Sequence, residues 1–143
     1  MNKNIFKSIG AVLAGFITGL VLSVGTDFVL ESFGIFPTPD QGFFITWMIV
    51  LAIIYRSIYT VIGGYVTAAL APNQPMRHAI ILGIIGIIAS TLGTMATWGQ
   101  GLSPDWFPIS LIIIALPCTW LGGKLHELCI ISKNSKKEFA TKE

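Results

Sequence analysis

The chain has 143 residues, 53% of them hydrophobic and only 11% charged, with a formal net charge of +2. Soluble domains carry about 25% charged residues, so most of this surface is not built for water and the lipid bilayer is its expected partner. The length allows one domain, and so small a net charge does not suggest a nucleic-acid partner, so none is expected.

Lys3 and Lys7 precede the first apolar segment, about 9–30, which is long enough to cross a hydrocarbon core of about 30 Å. The lysines, the apolar run and Ser23-Val24-Gly25 also have the outline of a signal peptide with a small-x-small cleavage site, but the run is long for that purpose. Ala11, Gly15, Gly19 and Ser23 recur every four residues and share one face, a stripe that lets another helix backbone come close. The same face continues to Asp27 and Glu31, which points Asp27 into a bundle.

A loop with Gly34, Pro37, Pro39 and Asp40 leads to the second segment, about 43–71. Pro72-Asn73-Gln74-Pro75 ends it, because proline cannot continue the helical hydrogen-bond ladder. The third segment spans about 78–98 and the fourth about 106–131, where Pro117 is expected to kink the helix. The tail, 132–143, is charged, has no apolar periodicity and is expected to be disordered. Lipid cannot satisfy free backbone groups, so the expected fold is an all-α membrane protein with four transmembrane helices.

Lys3, Lys7, Arg77, Lys124, Lys133, Lys136, Lys137 and Lys142 fall on one side of this scheme, against Glu31, Asp40 and Asp105 on the other. By the positive-inside rule both termini are cytoplasmic, in a bacterial inner membrane, with Trp47, Trp98 and Trp106 at the outer interface. An offset of 68 aligns Ala11, Gly15, Gly25 and Thr26 with Ala79, Gly83, Gly93 and Thr94. An offset of 59 aligns Trp47, Thr60, Gly63 and Gly64 with Trp106, Thr119, Gly122 and Gly123. Two tandem two-helix repeats would be related by an axis along the membrane normal; apolar, glycine-rich helices also align by chance. Gly15, Gly19, Ser23, Gly63, Gly64, Gly83, Gly122 and Gly123 are the expected packing positions.

Arg56 is the one charge placed well inside a membrane-length run, nine residues beyond Trp47 and so roughly 13 Å deep. A charge there costs about 2.5–3.5 kcal/mol and usually faces a bundle interior or a wet cavity. Arg56, Thr60, Gly64 and Ala68 form a stripe matching that of the first segment. The expected arrangement is an Asp27–Arg56 pair with Glu31, Tyr55, Tyr59 and Thr60 nearby, the arginine stem reaching outward. It is either a binding or permeation site, a structural ion pair that sets helix register, or a snorkelling arginine.

Other chemistry is sparse. His126 and Cys129 stand three apart near His78 at the cytoplasmic end, but two ligands at one spacing are not a metal site. No HExxH, GxSxG or P-loop pattern occurs, so no metal, cofactor or enzymatic activity is expected. Cys118 and Cys129 are 11 residues apart on one helix, roughly 16 Å of rise, beyond disulfide reach; buried, inert thiols are expected.

The runs YRSIYTVIGGYVTAALAPNQPMRHAIILG (Tyr55 to Gly83) and ALPCTWLGGKL (Ala115 to Leu125) resemble a group of short bacterial four-helix membrane proteins without an assigned activity. The first segment, with Gly25-Thr26-Asp27, fits the same group. The resemblance implies the four-helix architecture and carries no functional residue over. From the polar site around Arg56 and Asp27, the expected function is a small transporter or channel-like protein, with a small anionic ligand because a free guanidinium favours carboxylates. The alternative is a structural or regulatory membrane subunit. Four helices barely enclose a cavity, so a homo-oligomer, a dimer first, is expected.

Overall fold

A computed structural model describes residues 2–142, leaving aside the side chain of Pro39. It contains helices α1 (Lys3–Ser32), α2 (Thr46–Leu70), α3 (Pro75–Thr97) and α4 (Trp106–Thr141), with one 3-10 turn at Pro39–Gln41. No strand occurs among the described residues. All four helices are long and apolar enough to cross a membrane. Large apolar side chains such as Phe6, Ile17, Val24, Ile54, Ile88 and Ile113 are more than half exposed around the outside. The interior is made instead of Ala11, Ala52, Ala68, Ala79 and Ala115, with Ile49 and Thr67 the largest fully buried side chains. Water would not tolerate that distribution; helix association in lipid, which rests on close backbone packing, produces it. The chain has the build of a multi-pass membrane protein.

Several boundaries differ from the sequence expectation for physical reasons. Phe43–Ile45 stay outside α2, since the Phe43 amide donates to the Leu102 carbonyl at 2.6 Å and ties the two loops of this end together. α3 starts at Pro75, a residue suited to the first helical turn, directly after Gln74 at φ 46. The tail expectation is corrected: α4 continues through residue 132 to Thr141, and only Glu143 of that segment lies outside the described residues. Lys, Glu and Ala are good helix formers, and a helix already nucleated upstream propagates through them cheaply. Lys142 Nζ also lies 3.8 Å from Glu138 Oε1 one turn back. The cysteines are free, with Cys118 half-buried and Cys129 exposed, so the second is not the buried thiol expected.

The helices follow one another round the bundle as α1, α2, α4, α3; α1 and α4 do not touch, and α1–α3 is the least extensive seam. Glycine closes the other three. A Cβ on Gly63 would stand 2.8 Å from the Gly15 carbonyl oxygen, and one on Gly64 2.6 Å from that of Thr119. Gly122 abuts the backbone of Val61 and Tyr65, Gly83 abuts Thr119, and a Cβ on Gly123 would meet the Ala79 Cβ at 2.8 Å. Two members of the α1 stripe behave differently. A Cβ on Gly19 would find only the Tyr59 carbonyl, at an ordinary 3.6 Å, and Ser23 lines a cavity instead of meeting a backbone.

The aligned halves do not pack alike. Gly63 faces α1, the other helix of its own hairpin, whereas its counterpart Gly122 faces α2 in the other hairpin. Likewise α2 touches α3 while α1 never reaches α4. A two-fold axis along the membrane normal would require those pairs to match. The aligned halves therefore differ in these contacts.

Candidate functional site

Register places the site. Gly15 abuts Gly63 and Thr67 across the antiparallel α1–α2 seam. Twelve residues further along α1 is Asp27, and twelve residues back from Thr67 on α2 is Tyr55, with Arg56 beside it. The close glycine approach thus brings these side chains together in the half of the bundle nearer the α1–α2 loop. Arg56 Nη2 lies 2.5 Å from Asp27 Oδ2, and the side chains are 33% and 23% exposed. The Tyr55 hydroxyl donates to the other oxygen, Asp27 Oδ1. Both carboxylate oxygens are therefore engaged. The guanidinium is less fully used, as its buried Nε has no partner among the described residues.

The surrounding residues sort into structural and open positions. Thr26 donates to the Leu22 carbonyl, so the Tyr59 hydroxyl, 2.8 Å away, donates to Thr26 Oγ1. The Tyr59 ring lies 5.8 Å from that of Tyr55. Thr60 turns back on the Arg56 carbonyl at 2.7 Å. Glu31 stands one turn beyond Asp27, and its carboxylate has no ion-pair partner among the described residues. Tyr59→Phe removes one neutral hydrogen bond between α1 and α2. It is expected to lower unfolding stability by about 0.5–1.5 kcal/mol, read from thermal unfolding in detergent; a larger loss would mean that Tyr59 supports more than Thr26.

Two cavities meet at the pair. The outer one, so called because it lies on the side of the α1–α2 and α3–α4 loops, is about 420 Å³ and is bounded by Glu31, Phe36, Phe43, Tyr55, Thr97 and Phe107 among others. The inner one, about 310 Å³, lies among Gly19, Ser23, Thr60, Gly86 and Ala115. Asp27, Arg56, Ser90 and Leu111 border both. The roof comes from the α1–α2 loop, where the amides of Ile35 and Phe36 both donate to the Leu30 carbonyl. That turn folds Phe36 inward until it is 6% exposed. Its ring packs edge-on against Phe43 at 5.0 Å, and Phe43 meets Phe107 at 5.7 Å.

Sequence reasoning missed this roof, because no local pattern announces that a loop phenylalanine turns inward. It also missed the α3 wall, for which a signal exists: Ser90, Thr94 and Thr97 recur at helical spacing and line the outer cavity. Thr94 and Thr97 bond to carbonyls of the preceding turn, as do Thr18, Ser57 and Thr60. Ser90 and Ser23 make no such bond among the described residues and present free hydroxyls to the inner cavity.

The histidines stand apart from this site. His126 packs edge-on against Tyr65 at 5.4 Å, and His78 Nδ1 lies 3.1 Å from the Gln74 carbonyl. No group of three or more potential metal ligands occurs among the described residues. No family model, curated protein or solved structure matches this chain.

Proposed function

We propose that this protein is a small transporter or channel-like protein of a bacterial cytoplasmic membrane. Both termini would lie inside, and the ligand site would be the outer cavity around Asp27 and Arg56. One observation carries this reading: the ion pair stands where two cavities meet, bordering both. An ion pair that only sets helix register gains nothing from cavities on either side, whereas a pair that controls passage needs them. The lysine-rich end of the bundle supports the orientation through the positive-inside rule. Self-association, first as a dimer, is part of the proposal. Gly10 and Gly25 have nothing packed on them among the described residues, which leaves room for another helix.

A structural or regulatory subunit is the second reading. It is favoured by the full engagement of Asp27, whose two oxygens are taken by Tyr55 and Arg56. Thiol labelling separates the two. Single cysteines at positions 97, 90 and 86 would be placed in a chain lacking Cys118 and Cys129. The transporter reading expects a membrane-impermeant reagent added outside to modify positions 97 and 90. Modification at 97 alone would mean a dry pair beneath an open rim, and the subunit reading would replace it.

A further inference from the structure

The charge expected to select a ligand is not the one left free in the fold. Arg56 is the only basic residue in the outer half, and Asp27 holds it at 2.5 Å. The remaining charges of that end, Glu31, Asp40 and Asp105, are all negative, and Glu31 lines the outer cavity without an ion-pair partner. A cavity whose one unbalanced charge is a carboxylate attracts cations and repels anions. The anionic ligand expected from a free guanidinium therefore does not suit this charge balance.

The walls narrow the class of cation. Phe36, Phe43, Tyr55 and Phe107 all line the cavity, and aromatic faces attract cations through their quadrupole, most usefully those too bulky to be strongly hydrated. A volume of about 420 Å³ lies within the range of organic-ligand pockets. A bare metal ion would instead require several oxygen ligands drawn tightly round it, and one free carboxylate does not supply them. We propose that the outer cavity binds an organic monocation, a tertiary or quaternary ammonium on a small apolar body. Glu31 is its counter-ion, and Phe36 and Tyr55 are among the aromatic walls that contact it. This rests on the outer cavity being the ligand site, as proposed above.

The test uses the full chain in lipid nanodiscs and three probes of similar size: benzyltrimethylammonium, its neutral carbon isostere neopentylbenzene, and benzoate. Isothermal titration is expected to show saturable binding of the ammonium, at least tenfold tighter than the isostere, with no binding of benzoate. Glu31→Gln, which keeps shape and removes charge at a half-buried position, should weaken the ammonium at least tenfold and leave the isostere unaffected. Phe36→Leu should reduce the preference for ammonium over isostere even if Glu31→Gln proves unstable. Equal binding of ammonium and isostere, or ammonium binding indifferent to both substitutions, would overturn the proposal. Arg56-dependent binding of benzoate would overturn it while leaving the ligand site in place. Absence of ammonium binding would overturn it as well. Modification of a cysteine at position 90 from outside then shows whether the site reading survives alone.

Discussion

Gly122→Leu is expected to unfold the bundle more readily than any other single glycine substitution. A side chain at 122 would run into the backbone of α2 at Val61 and Tyr65, neither of which can move aside like the tip of a flexible side chain. The α2–α4 contact is the most extensive in the molecule, so displacing it disturbs Gly64 against Thr119 as well. Overpacking costs about 1–3 kcal/mol, and a backbone neighbour puts this site at the upper end. Thermal unfolding in detergent provides the measurement, with Gly25→Ala and Gly93→Ala as controls. Nothing lies within 4 Å of a Cβ at either control position, so each should be neutral or stabilising by up to about 1 kcal/mol. Gly19→Ala should behave like the controls, because its nearest neighbour leaves an ordinary contact. A Gly122→Leu protein melting with the wild type would mean that α2 and α4 do not meet as described.

The ion pair leads to a second large effect, and an asymmetric one. Asp27→Ala should destabilise more than Arg56→Ala. Without Asp27 the guanidinium keeps a charge it cannot lose inside the bundle, with its Nε already unpartnered among the described residues. An unpaired arginine at membrane depth costs about 2.5–3.5 kcal/mol. Without Arg56, Asp27 retains the Tyr55 hydroxyl as a hydrogen-bond partner. The loss should then be nearer the 1–3 kcal/mol, roughly, of one unsatisfied polar group. The double variant should be less destabilised than the sum of the singles, because its two halves are in contact. Equal losses that simply add would mean that the two side chains act independently.

These effects show which parts of the molecule can be read from the chain alone. The four helices were legible because a membrane-length apolar run leaves the backbone no alternative to internal hydrogen bonding. The meeting of Asp27 with Arg56 was legible because four-residue stripes put each on the small-residue face of its helix. Position on a face does not say what the face meets, however. Gly15 and Gly19 are indistinguishable in the stripe, yet only at Gly15 would a Cβ clash with the neighbouring helix. The tail misled because high charge and absent periodicity describe an exposed helix as well as a disordered segment, and α4 was already nucleated upstream.

By itself, then, the sequence determined the solvent, the number of helices and the clustering of basic residues at one end. These follow from composition and from order along the chain. Only the tertiary structure decided the order of helices round the bundle and the mismatch between its aligned halves. It also decided the inward turn of Phe36 and which carboxylate remained free. Those depend on interlocking backbones and on the burial of a loop, and neither leaves a periodic trace in the sequence. Asp27 and Glu31 are one turn apart on the same face, and the sequence placed Glu31 beside the Asp27–Arg56 pair without deciding whether it joined it. The register set by Gly15 against Gly63 and Thr67 gave the arginine to Asp27 and left Glu31 facing the cavity.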